Sequence, residues 1–206
     1  MKTYYLNDHT ITFDESHHQY YLDGIKIASI SQITNAFFTN NQIKKVDAKI
    51  LEEAALKGNL LKEKIHAYEN DKIKTFDAEM QSYIALKNQH QFEMIDYNPL
   101  VLLRHQGTII AAGRFDMVVQ SPYMKGMGLV SIKRTSHLRM DYLTFQLNLY
   151  KLAYEQSYKT KINYLKCIHI RNRHQDYLDI VLDQNKTKLM LDDYLAKNPL
   201  DYRLYL

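Results

Sequence analysis

The chain of 206 residues has no tryptophan and only one cysteine. No apolar run approaches the roughly 18 residues that a membrane-spanning helix needs. A lone cysteine cannot close an internal disulfide. Cys167 lies in the apolar run from Tyr164 to Ile170, where a buried strand residue is expected rather than a nucleophile. The opening MKTYYLNDHTITFDE lacks the charged-then-apolar pattern of a signal peptide, so the expectation is a cytoplasmic protein with no membrane partner. Internal repeats, low-complexity tracts and linkers are also missing. With 46% hydrophobic residues, a chain of this length can bury one sizeable core, which favours a single domain over residues 1–206.

What is present is a mild positive charge of +4, nine histidines and 17 tyrosines. Such a balance is compatible with a polyanionic partner, and tyrosines serve equally as stacking platforms for bases or as the wet edge of a core.

Residues 1–28 alternate β-like runs (TYYL, TITF, HQYYL, IKIA) with the turn pairs Asn7-Asp8, Asp14-Glu15 and Asp23-Gly24, which predicts an N-terminal β-hairpin ribbon. Residues 29–90 read as helical. Ser29 or Ser31 caps a first helix, and residues 46–70 form a second with apolar positions Ile50, Leu51, Ala54, Ala55, Leu60, Leu61, Ile65 and Tyr68. Gly58 is its expected break or close-contact point. A third helix over residues 76–88 turns Met80, Tyr83, Ile84 and Leu86 inward. Residues 91–206 read as a core sheet with helices. Strands at 92–95, 100–104 and 108–112 are expected to be successive members of one sheet. Strands at 162–171 and 177–182 flank a turn at 172–175, and Asp183 or Asn185 caps a last helix before the tail LDYRLYL, which is apolar enough to dock on the fold or on a second copy.

The stretch from Gly113 to Tyr154 carries the chemistry. Phe115, Met117 and Val119 alternate with Asp116, Val118 and Gln120, a half-buried strand with Asp116 opposite Phe115. In the next strand, 129–133, Val130 and Ile132 share one face, Ser131 and Lys133 the other. A hairpin of the two brings Asp116 near Lys133, as a structural ion pair or as part of a site. Asp141 is the expected cap of the helix over 141–156, on which Gln146 and Tyr150 stand one turn apart.

Gly-x-x-Asp at 113–116, Ser-Ile-Lys-Arg-Thr-Ser at 131–136 and Gln-x-x-x-Tyr at 146–150 together resemble the PD-(D/E)XK nuclease superfamily, in its RecB-like and phage-exonuclease branch. The segment HQYYLDGIKIASISQIT looks like the lead-in of phage-type and mitochondrial-maintenance exonucleases of that superfamily. The resemblance implies an α/β fold, a central mixed β-sheet flanked by helices (a restriction-endonuclease-like core) with an N-terminal β-hairpin ribbon. It also implies Mg2+ or Mn2+ held by Asp116, a water oriented by Lys133, and Gln146 and Tyr150 buttressing the site and touching DNA.

Three positions depart from the superfamily's pattern. Ser131 replaces the second acid, Lys62 the histidine of a Gly-x-x-x-His motif counted from Gly58, and Asn98 a glutamate. The backbone carbonyl of Ile132 remains a ligand, and Asp96 and His66 are the candidate substitutes for the lost side chains. Arg134 and, at the tip of the last hairpin, Arg171, Arg173 and His174 are the candidate phosphate contacts. Two functions stay open: a nuclease-fold protein of phage or mobile-element type that binds DNA or a protein partner, with hydrolysis lost or reduced and no metal, or an active metal-dependent DNA exonuclease using a migrated acid. A homo-oligomer is compatible with either. If Ser131 marks the vacated metal position, Ser131→Asp should restore metal binding once Asp96 or His66 supplies what Asn98 and Lys62 do not.

Overall fold

Four strands open the chain: β1 (Lys2–Leu6), β2 (His9–Asp14), β3 (Gln19–Leu22) and β4 (Ile25–Ser29). Asn7 and Asp8 have φ of 51° and 65°, Asp23 and Gly24 of 47° and 83°. These positive pairs are what two-residue hairpin loops require, so both turns are legible in the sequence. The structure, a computed structural model, describes residues 1–38, 48–70 and 77–201.

The chain is α/β, with curled mixed sheets flanked by helices. The remaining strands are β5 (Glu93–Tyr97), β6 (Leu100–His105), β7 (Thr108–Arg114), β8 (Met117–Gln120), β9 (Met127–Lys133), β10 (Ile162–Arg171) and β11 (His174–Ile180). They form two sheets rather than the expected single central one. One has the order β1-β2-β3-β4-β7-β6, the other β11-β10-β9-β8-β5. The N-terminal ribbon is therefore part of a sheet, joined by the parallel pairing of β4 with β7. The expectation that 92–95, 100–104 and 108–112 share one sheet fails at two chain reversals. Asn98, at φ 53°, turns the chain out of β5, and the bend at 115–116 carries it from β7 back to β8, which pairs with β5.

The helices are α1 (Ile30–Phe38), α2 (Ala48–Glu69), α3 (Ala78–His90), α4 (Met140–Tyr158) and α5 (Gln184–Lys197). A core cluster joins α4 to α1, α5 and residues of both sheets, among them Val101, Leu103, Ile110, Leu129 and Leu165. A second packs Leu61 and Ile65 of α2 and Met80, Tyr83 and Leu86 of α3 on Met117, Val119, Val130 and Ile132. Met117, Val118 and Val119 are consequently all buried, not half-buried in alternation, because helices cover both faces of that sheet. A third cluster fills the curl of the six-stranded sheet, with Ile11, Tyr20, Leu22 and Leu102.

Caps follow from local chemistry. Ser29, not Ser31, caps α1 in a reciprocal box: its Oγ accepts from the Gln32 amide at 3.1 Å, and Gln32 Oε1 accepts from the Ser29 amide at 2.8 Å. Asp77 caps α3 and Asp183 caps α5. Asp141 does not cap α4. Arg139 holds that position without a side-chain capping bond, and Asp141 sits in the first turn, where its charge still favours the helix N-terminus. Gly58 breaks nothing, since α2 runs through it and no heavy atom lies within 4 Å of where a Cβ would stand. Of the expected apolar positions in α2, Ile50, Leu51 and Leu60 are exposed and only Leu61 and Ile65 are buried. β6 is an edge strand, and α4 covers it. Gln156 exchanges two hydrogen bonds with the Arg104 backbone, and Ser157 Oγ accepts from the Leu102 amide at 2.9 Å.

The last hairpin is tighter than expected, turning on Asn172 and Arg173 alone. Leu200 packs on the main core, whereas residues 46–47, 76 and 202–206, which carry parts of the expected helices and tail, lie outside the described residues. Among the described residues no helix is long and apolar enough to cross a membrane.

Candidate functional site

Asp116 stands at the bend between β7 and β8, opposite the end of β9. Its Oδ2 accepts from the Ser131 hydroxyl at 3.0 Å and from the Ile132 amide at 2.6 Å. Its Oδ1 is 2.7 Å from the Lys62 ammonium, an ion pair whose side chains are 12% and 31% exposed for Asp116 and Lys62. Helical periodicity puts Lys62 there: Leu61 and Ile65 anchor α2 in the core, and the residue after Leu61 faces the sheet edge. Burial by itself raises the pKa of Asp116. The charges of Lys62 and Lys133, with hydrogen bonds from Lys62 and the Ile132 amide, outweigh it and hold the carboxyl below the ordinary range.

The ion-pair partner of Asp116 is thus Lys62, not Lys133. Lys133 Nζ donates instead to Gln146 Oε1 at 3.5 Å. Burial pulls the Lys133 ammonium below its usual pKa, with Asp116 opposing. Gln146 Nε2 donates to Tyr142 Oη at 3.2 Å and to Ser31 Oγ at 3.4 Å, and Tyr150 also hydrogen-bonds Ser31. Burial, first of all, raises the Tyr150 phenol. The four residues singled out in the sequence therefore lie around one bend, with Ser31 of α1 tying Gln146 to Tyr150.

The glycine of Gly-x-x-Asp has a steric reason. A Cβ on Gly113 would lie 2.8 Å from Tyr150 Cε1 and 3.2 Å from Ile30 Cδ1. Gly113→Ala should cost about 1–3 kcal/mol in urea unfolding, the usual range for overpacking a tight site. A loss within about 0.5 kcal/mol, typical of an unconstrained surface position, would mean that Tyr150 is free to move aside.

A cleft of about 540 Å³ opens beside the bend, lined in part by Asp116, Lys62, His66, Asn98 and Tyr150. Lys133 and Gln146 are not part of its wall. His66 stacks on Tyr97, ring centroids 4.0 Å apart and planes within 8°, and Tyr97 Oη donates to the Lys62 carbonyl at 3.2 Å. Asn98 turns its carbonyl to Arg114 Nε at 2.9 Å. Asp96 does not line the cleft. The irregular register between Met94 and Asp96, and the left-handed Asn98, break the alternation that would have put Asp96 and Asn98 on one face, and the Asp96 charge acts on Tyr154 and Tyr158 instead. Ile132 meets Asp116 through its N–H.

The candidate phosphate contacts divide. Arg134 is committed to Glu79, both of whose oxygens accept from Nε at 2.9 Å, because α3 packs on β10 and β11 and brings its first turn to Arg134 just past β9. Arg171 and Arg173 are exposed at the hairpin tip, and His174 pairs with Asp176 at 2.8 Å. Sequence reasoning missed Arg114 and Glu63 as cleft residues and missed that Lys62 is the counter-ion of Asp116. The last was within reach, since Lys62 already stood at the position of a metal-site residue.

This donor set does not fit a magnesium ion. Hard divalent cations are held by several anionic oxygens. Here one carboxylate has both oxygens engaged, one by an ammonium and the other by two donors. Of the other carboxylates in the cleft wall, Glu15 is paired with Lys2 at 2.5 Å and Glu63 is exposed on α2.

No family model matches the chain, and no curated protein matches it. Among solved structures, the crystal structure of SSO0001 is similar at 12% identity and a TM-score of 0.46, over 84% of this chain and 76% of that one.

Proposed function

We propose that the chain is a DNA-binding protein on a PD-(D/E)XK-like scaffold from which phosphodiester hydrolysis has been lost. The observation that carries this reading is the Lys62 ammonium on Asp116 Oδ1, with the Ser131 hydroxyl on Oδ2. A divalent ion at Asp116 would have to displace the ammonium and gain only one anionic ligand in return. Lys62 and Lys133 leave the bend with one more positive than negative charge, a balance that suits a phosphate rather than a metal. Arg171 and Arg173 extend the basic character to the exposed hairpin tip, and among the described residues neither forms a side-chain ion pair.

Anisotropy titration of labelled duplex and single-stranded DNA at two salt concentrations tests this. Affinity should fall as salt rises, and Arg171→Ala and Arg173→Ala should each lower the salt slope by about one unit, with no cleavage of linear DNA in magnesium. Negligible, salt-insensitive binding would replace DNA with a protein partner. Magnesium-dependent cleavage abolished by Asp116→Ala would restore the exonuclease.

A further inference from the structure

We propose that His169, His174 and Asp176 form a binding site for a divalent transition metal of the zinc class, on the β10–β11 hairpin. The inference does not rest on the nuclease-like reading. His174 and Asp176 are two residues apart on β11 and share a face, and His169 is the direct cross-strand partner of Asp176. One ligand atom from each of the three lies within 4.8 Å of the other two. Ladder pairing with β9 on the other side holds β10 rigid, since His169 is also in register with Lys133.

The protonation pattern suits a metal. His169 is 7% exposed, and its Nε2 is 2.7 Å from the Thr135 carbonyl. A carbonyl only accepts, so Nε2 carries the proton, and in the neutral ring Nδ1 holds the lone pair. A backbone carbonyl that fixes one ring nitrogen and thereby orients the other is the usual support of a metal-binding imidazole. The His174 ring meets that of His169 at 4.9 Å between centroids, edge to face, and its Nε2 is 2.8 Å from Asp176 Oδ2. Bonds of about 2.0–2.2 Å to a tetrahedral ion place ligand atoms about 3.3–3.6 Å apart, so the cluster must open slightly between His174 and Asp176. His174 is exposed and can supply that adjustment by rotation.

Two imidazoles and one carboxylate form a borderline set that favours Zn2+, Co2+ or Ni2+ over Mg2+. Three protein ligands leave a coordination position for water on the exposed side of the hairpin. A bound ion would add charge beside Arg171 and Arg173, where the proposed phosphate contacts lie.

The test is calorimetric titration of the EDTA-treated full chain with zinc chloride, together with cobalt chloride absorption spectra. One zinc per chain and the visible bands of four-coordinate cobalt are expected. His174→Ala and Asp176→Asn, at positions open enough to leave the fold intact, should each weaken zinc by about 10- to 100-fold or more. The double variant His17→Ala/His18→Ala, in an exposed loop of the other sheet, should leave binding unchanged. Absence of stoichiometric binding would overturn the proposal. So would binding that survives in both hairpin variants, or that falls equally in the His17/His18 control, since either marks scattered surface histidines rather than a site.

Discussion

Asp116→Ala should lower the stability of this protein by about 3 kcal/mol, because it strands Lys62 and Lys133 beside each other in a largely buried bend and leaves the Ile132 amide without its acceptor. For a chain of this size that corresponds to about 6–12 °C in the thermal midpoint. Lys62→Met should cost less, since Asp116 keeps Ser131, the Ile132 amide and the charge of Lys133. Urea unfolding of the two variants and of the double variant gives the coupling between the residues directly. A loss below about 1 kcal/mol for Asp116→Ala would show that the pair is solvated like a surface salt bridge. The pH dependence has a definite sign. The native carboxyl is held below its unfolded value of about 3.9, so its contribution is complete above about pH 4 and disappears as pH falls through the depressed native value. The Asp116→Ala variant should lack that part of the acid transition.

The combination Lys62→His with Ser131→Asp should create manganese binding at least about tenfold tighter than in the parent or in either single variant, because affinity for hard cations follows the number of charged ligands. Ser131→Asp alone, the change that the sequence suggests, is expected to fail. The Lys62 ammonium already touches Asp116 and would bridge both carboxylates, keeping the ion out. Adding Asp116→Ala to the combination should abolish the gain. Calorimetry at the Asp116 bend must be run with His174→Ala in the background, so that ions held by the hairpin are not counted. Equal manganese affinity in Ser131→Asp and in the combination would show that Lys62 swings away readily and is no obstacle.

How much of this was legible beforehand varies by element. The two-residue turns at Asn7-Asp8 and Asp23-Gly24 were, because only a few residue types tolerate positive φ in succession. So was the antiparallel pairing of β8 with β9, which depends on spacing within one short stretch. The commitment of Arg134 to Glu79 was not, since 55 residues separate them and only the packing of α3 on β10 and β11 brings them together. The same holds for Asp96, whose face depends on a ladder irregularity that no periodicity reveals.

The sequence by itself determined the α/β alternation, the hairpin turns, the course of α4 and the replacement of an acid by Ser131, since these are set by local periodicity, turn chemistry and residue identity. Tertiary structure decided that the strands divide into two sheets, that Lys62 of α2 neutralises Asp116 across 54 residues of chain, and that His169 stands opposite Asp176 and next to His174. Those outcomes depend on which distant elements share a core and in what register. They are settled by the summed burial of apolar faces, and no single segment carries that information.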